Sequence, residues 1–170
     1  METQVKLRNM NNKIFYHYFN GTTDKDKNNY SLQNLQNGKV YFSYIRYFND
    51  PYEAAFYPDE SCNYSIVDLP NIEYKYEMQC RVFCFSETFQ NPIMWSHYGN
   101  SHKGFCVGYD IKDILSIPSI VFDRVTYSDD KPFLSNEDIL NGCALFYKSS
   151  DWKKEEDGAQ FYFCILVKAI

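Results

Sequence analysis

Between Gln79 and Asp110 the chain places two short apolar runs, Gln79–Ser86 and Phe105–Tyr109, on either side of a stretch, Pro92–Tyr98, that ends on Gly99-Asn100. Runs of that length rich in aromatic and β-branched residues read as strands. Proline is tolerated in the first turn of a helix, and Gly-Asn is a natural helix stop. The segment is therefore expected to fold as strand, helix, strand. The same stretch, from Pro92 to Asp110, also holds Trp95, three glycines and two of the chain's three histidines, His97 and His102. Plain core sequence is not built this way.

At 170 residues the chain fits one domain, and about two thirds of the surface of the unfolded chain can be buried at this size. A single domain over residues 1–170 is expected, shortened at its C-terminus relative to related chains. Aromatic residues make up 19% of it, with 16 Tyr and 14 Phe, so much of the core must be ring packing. Tyrosines that bury the ring and keep the hydroxyl wet suit a plain core, and equally a cleft for a ring-bearing ligand. The net charge of −5 argues against a duplex nucleic-acid surface, which needs clustered Lys and Arg. No charged head followed by an apolar run opens the chain, and no run approaches the roughly twenty apolar residues that span a bilayer. A soluble, cytoplasmic protein without membrane contact is expected. The six cysteines lie mostly inside apolar runs with no close pair, as in a reducing compartment. Cys80, Cys84, His97 and His102 fit no standard zinc spacing, and no metal is expected.

The rest of the chain alternates short elements. Lys13–Tyr18 reads as a strand. Tyr30–Asn37 reads as a helix with Leu32 and Leu35 on one side and Gly38 as its stop, and Lys39–Tyr44 as a second strand. Asn49-Asp50-Pro51 is a turn signal. A helix within Ser61–Glu77, a strand over Ser119–Tyr127, a helix over Ser135–Tyr147 and a last strand over Phe161–Val167 complete the pattern. The expected class is α+β, with a mixed or mainly antiparallel sheet and short helices.

Three segments carry a likeness: Tyr16-His17-Tyr18, Phe48-Asn49-Asp50-Pro51-Tyr52-Glu53, and Pro92 to Asp110. Together they resemble a large bacterial family, domain of unknown function 2971. The order of a strand histidine, His17, then Gly38-Lys39-Val40-Tyr41-Phe42-Ser43, then a late carboxylate is also similar to the ADP-ribosyltransferase superfamily. That resemblance implies that NAD is the substrate and that His17, Tyr41 and Glu155 are the catalytic set. His17 would hydrogen-bond the ribose, Tyr41 would stack on nicotinamide, and Glu155 would stabilise positive charge developing on the ribose. Ser43 completes the Gly-x-x-Tyr-x-Ser context. Members of the unknown-function family tend to carry a Trp, two Glu and an Arg at fixed offsets. Here Trp152, Glu155 and Asp157 keep the first part in altered form, and Ala159 stands where the Arg would be.

Other candidates come from residue chemistry. His97, Tyr98, His102 and Lys103 are expected to line a ligand cleft, while Trp95 and Met94 plug the core. Arg46 and Lys103 are the cations to meet the phosphates of a dinucleotide. Asp50 and Glu53 read either as turn scaffold or as substrate-holding groups. No Gly-x-Ser-x-Gly elbow, Walker loop or dinucleotide glycine fingerprint occurs. Glu155 and Glu156 point apart and make no hydrolytic pair. Two functions of different class follow. One is an NAD-dependent ADP-ribosyltransferase-like domain acting on a protein target. The other is a non-catalytic binding or interaction module in bacterial stress or phage defence.

Overall fold

A computed structural model describes residues 13–21, 29–48, 50, 54–156 and 162–168, with side chains for all of these but 77, 154–156 and 162–168. The elements run β1 (Ile14–Phe19), α1 (Tyr30–Gln36), β2 (Ser43–Tyr44), β3 (Tyr57–Pro58), α2 (Leu69–Gln79), β4 (Cys80–Ser86), α3 (Pro92–Tyr98), β5 (Phe105–Asp110), α4 (Ile111–Leu115), β6 (Ile120–Arg124), β7 (Thr126–Ser128), β8 (Phe133–Leu134), α5 (Asn136–Leu140), β9 (Tyr147–Ser149) and β10 (Tyr162–Lys168). Short 3-10 turns lie at Ile45–Tyr47, Ile66–Asp68, Cys143–Phe146 and Ser150–Glu156. By contact the chain divides into one unit of residues 1–41 and 85–120 and a second of residues 42–84 and 121–170. The class is α+β.

In the first unit β1 is paired on both sides. It runs antiparallel to β5 from Ile14↔Asp110 to Phe19↔Phe105, and meets the end of β4 at Tyr16↔Ser86. Successive side chains on a strand face opposite ways, so Phe15, His17 and Phe19 share one face and Tyr16 and Tyr18 the other. Phe15 is 0% exposed and Tyr18 5%, so each face carries one deeply buried ring. Burying a Phe completely contributes about 1.5–3 kcal/mol. The Tyr18 ring meets Trp95 edge-on at 5.2 Å, and its hydroxyl donates to the Thr88 carbonyl at 2.9 Å. Burial pushes the Tyr18 hydroxyl pKa well up. Trp95 in turn donates its indole N–H to the Phe89 carbonyl at 2.7 Å, which fixes α3 against the Tyr18 face.

The helices of this unit start and stop where their punctuation dictates. The buried Asn91 caps α3 by accepting from the Ile93 and Met94 amides, with Pro92 as the first helical residue. Asn29 caps α1, and Gly38, at φ +65, ends it through bonds from Gly38 N–H and Lys39 N–H to the carbonyls of Leu35 and Asn34. Asp110 closes β5 and opens α4, whose Ile111 and Ile114 are buried.

In the second unit β2 pairs antiparallel with β4 (Ser43↔Val82, Tyr44↔Arg81), and β10 lies between β4 and β6. Two short parallel ladders join β3 to β8 and β7 to β9. The core is built on Ile72 and Tyr76 of α2, Val82 and Phe83 of β4, and Ala144 and Leu145 of the turn after α5. The buried Tyr76 hydroxyl donates to the Ile139 carbonyl and ties α2 to α5.

Four expected elements come out differently. The strand over 39–44 forms only at Ser43–Tyr44, because only these residues find β4. The strand over 119–127 splits around the buried Val125, since β6 and β7 take different neighbours. The helix over 135–147 stops after Leu140, where Gly142 at φ +73 turns the chain left-handed and a 3-10 turn follows. The helix within 61–77 begins late, because Ser65 and Asp68 form a capping box ahead of it, and it extends to Gln79.

Candidate functional site

Among the described residues of the first unit, the turn that leaves α3 has the most strained backbone. Asn100, Ser101 and His102 have φ of 51°, 51° and 67°, three consecutive left-handed residues without a glycine among them. An L-residue in that region costs about 1–2 kcal/mol, somewhat less for Asn. The run persists because the turn folds back onto the helix end. Trp95 carbonyl accepts from both Gly99 N–H and His102 N–H at 3.1 Å, Ser101 N–H reaches the Ser96 carbonyl at 3.3 Å, and Gly104 N–H closes on the Gly99 carbonyl at 2.7 Å. Asn20, just past β1, accepts from Asn100 N–H at 3.3 Å.

Both bracketing glycines are required by packing. A Cβ on Gly104 would stand 2.1 Å from the Phe19 carbonyl oxygen, and one on Gly99 would stand 2.6 Å from the Trp95 ring. With Trp95 held inward, the turn presents Ser96, His97, Asn100, Ser101, His102 and Lys103 to solvent. Two imidazoles and an ammonium are therefore exposed at the end of α3 and on the hydrogen-bonded turn that follows it. Strain maintained in this way clusters at ligand-binding sites.

His17 sits on the neighbouring strand, half-buried in a row of rings. Its imidazole meets Phe19 at 4.5 Å and Phe85 at 6.4 Å, both edge-on, while Phe19 stacks on Phe105 at 4.9 Å. Tyr98 is half-buried beside His97, ring centroids 6.2 Å apart. Tyr41 belongs to the same unit but is 57% exposed and outside the β2 ladder. The first unit thus contains His17, Tyr41, His97, Tyr98, His102 and Lys103, with His97 near the end of α3 and His102 and Lys103 in the turn that follows.

The remaining expected residues belong to the second unit. Ser43 is in β2 opposite Val82. Arg46 lies over the rings of Tyr44 and Tyr47 at 4.6 and 5.1 Å. Asp50 is 5% exposed and accepts from Ser149 N–H at 3.1 Å, at the end of β9. Glu155 falls in the 3-10 turn Ser150–Glu156, its side chain outside the described residues. Glu53 and Asp157 lie outside the described residues altogether.

Sequence reasoning missed two features. One is the contact of Arg81 with Tyr44, which joins residues far apart in the chain through the β2–β4 register. The other is Lys148, 9% exposed, whose ammonium lies 5.8 Å from the Phe48 ring. Burial pushes the Cys106 thiol up to about 11, so it stays protonated near neutral pH and is no nucleophile. Among the described residues no three His, Cys, Asp or Glu side chains are grouped to hold a metal. Nor is any described helix long and apolar enough to cross a membrane.

Residues 94–158 match the family model described as Protein of unknown function (DUF2971). That segment begins inside α3 and includes the whole strained turn, so the likeness seen in the central segment holds there. No curated protein and no solved structure matches the chain, and the likeness to ADP-ribosyltransferases is carried by none of these comparisons.

Proposed function

We propose that this chain, whose residues 94–158 match the DUF2971 family model, is a binding module for a dinucleotide of the NAD type, held by the turn after α3. The observation that carries the reading is the left-handed run at Asn100, Ser101 and His102, which follows directly on the exposed His97 of α3 and leaves His102 and Lys103 exposed on a tightly bonded turn. Hydrogen-bond donors and a cation held on a stiff turn suit the phosphates of a dinucleotide, because they need little ordering when the ligand arrives. The half-buried His17 and Tyr98 would supply the polar edge and the ring for a ribose or a base.

A second reading is ADP-ribosyl transfer, with His17 on the ribose, Tyr41 on nicotinamide and Glu155 at the developing positive charge. The position of His17 on a central strand favours it. The exposed, off-ladder Tyr41 and the Ala159 in place of an expected Arg favour binding without turnover.

The test is thermal stabilisation by millimolar NAD, since a ligand that binds only the folded state raises its apparent stability. A rise in the parent that disappears in a His102→Ala/Lys103→Ala variant supports the binding module. A rise that also needs Tyr41, accompanied by release of nicotinamide, favours transfer. No rise at that concentration rejects both.

A further inference from the structure

In the second unit α2 and α5 line a cavity of about 140 Å³ that the dinucleotide reading does not use. Its apolar floor follows from the helical period. Ile72 and Tyr76 stand one turn apart on α2, both buried, and Ile139 of α5, also buried, joins them. The Tyr76 hydroxyl donates to the Ile139 carbonyl, which fixes the two helices beside the cavity. The half-buried Tyr64, ahead of α2, adds a second ring to the lining. Lys75 and Gln79, again one turn apart on α2, are exposed and supply its polar groups at the solvent side.

Size and charge give this cavity a preference. A cavity of roughly this volume, walled by aliphatic and ring side chains, takes one benzene-sized group. Among the described residues Lys75 is the one charged side chain of the lining, and it makes no ion pair there. A lysine near the end of a helix commonly serves the last carbonyls of that helix. Here those carbonyls are met by other groups: Cys80 N–H bonds the Tyr76 carbonyl, and Arg81 donates to the carbonyls of Met78 and Cys80 at 3.2 and 2.7 Å. An ammonium and an amide N–H therefore stand side by side over an apolar floor with no carboxylate among the lining residues.

We propose that the cavity between α2 and α5 binds a single-ring aromatic carboxylate, the ring against Ile72, Tyr76 and Ile139 and the carboxylate on Lys75 and Gln79. A carboxylate is favoured over an amine because the lining offers a cation and no anion to pair with it. One ring is favoured over a nucleotide because the volume holds a ring but not a base with its sugar and phosphate. The site shares no residue with the turn after α3, so it stands or falls apart from the dinucleotide reading.

The experiment is an NMR titration of the full chain with benzoate, compared with benzyl alcohol, benzylamine, acetate and naphthoate. Benzoate is expected to shift the amide signals of α2 and α5 and to bind at least tenfold more tightly than each of the other four. Lys75→Gln, at an exposed position whose variant should melt with the parent, is expected to lose tenfold or more of the benzoate affinity and to keep the affinity for benzyl alcohol. The His102→Ala/Lys103→Ala variant should bind benzoate as the parent does. No shift at millimolar benzoate, shifts centred away from α2 and α5, benzylamine binding as tightly as benzoate, or an unchanged benzoate affinity in Lys75→Gln would overturn the proposal. Naphthoate binding as tightly as benzoate would overturn it in favour of an open apolar groove.

Discussion

Replacing Gly104 by Ala tests whether the turn after α3 is held by backbone packing. The added Cβ would lie 2.1 Å from the Phe19 carbonyl oxygen and 2.9 Å from the Gly99 carbonyl carbon and oxygen. These are main-chain atoms, so no side chain can swing away, and β1 and the turn must separate instead. Overpacking of this kind costs about 1–3 kcal/mol. The move also stretches the 2.7 Å bond from Gly104 N–H to the Gly99 carbonyl, which contributes about 1 kcal/mol. The expected loss is about 2–4 kcal/mol. Gly38→Ala is the control: its φ of +65 strains any side chain, but nothing lies within 4 Å of the new Cβ, so it should cost only about 1–2 kcal/mol. Urea unfolding of the two variants and the parent, with matched slopes, makes the comparison. A Gly104→Ala variant as stable as Gly38→Ala would refute the claim that the turn is pinned against β1.

Relief of the left-handed strain is expected in Ser101→Gly, which should leave stability unchanged or raise it by about 1 kcal/mol while weakening any ligand that relies on a stiff turn; melting and titration read the two effects separately. Phe15→Ala should cost about 3–5 kcal/mol in urea unfolding, because a fully buried ring is removed from the middle of the first unit's strands. Asp138 has its pKa lowered by the Ser135 hydroxyl, so its contribution is present above the ordinary carboxylate range and lost as pH falls through the depressed value. Ser135→Ala should therefore lose less stability than the parent on acidification from about pH 5 to 2.5, followed by circular dichroism. Cys106, its pKa raised to about 11 by burial, should resist iodoacetamide at pH 8 in the native protein and react in urea, as peptide mass mapping would show.

What the sequence made legible was its punctuation. Pro92 and Gly99 bound α3, Gly38 ends α1, and Ser135 opens α5, because each of these signals acts within a few residues. The strand-and-helix alternation gave the α+β class, and the high ring content reappears as the Phe15, Tyr18 and Trp95 packing. Less legible was anything decided by a distant partner. Val40 and Tyr41 have strand-forming side chains, yet β2 begins at Ser43, where β4 is within reach. The contact of Arg81 with Tyr44 exists only through that register. Of the candidate site, the choice of His97, His102 and Lys103 came from residue type and from a helix ending at Gly99-Asn100 that can present His102 and Lys103 beside a tight turn at Gly104. The turn that carries His102 and Lys103 is built on three consecutive left-handed residues, Asn100, Ser101 and His102, which no glycine announces. The crowding at either end of the run, where a Cβ on Gly99 would meet the Trp95 ring and one on Gly104 the Phe19 carbonyl, is a feature of the folded chain only.

The central claim, that the rigid turn after α3 is the ligand-holding element, is tested most directly by amide hydrogen exchange of the parent with and without NAD. The account predicts slower exchange confined to peptides covering residues 96–104 and the adjoining end of β1, with no change in the His102→Ala/Lys103→Ala variant. Unchanged exchange across those peptides at saturating NAD would contradict it.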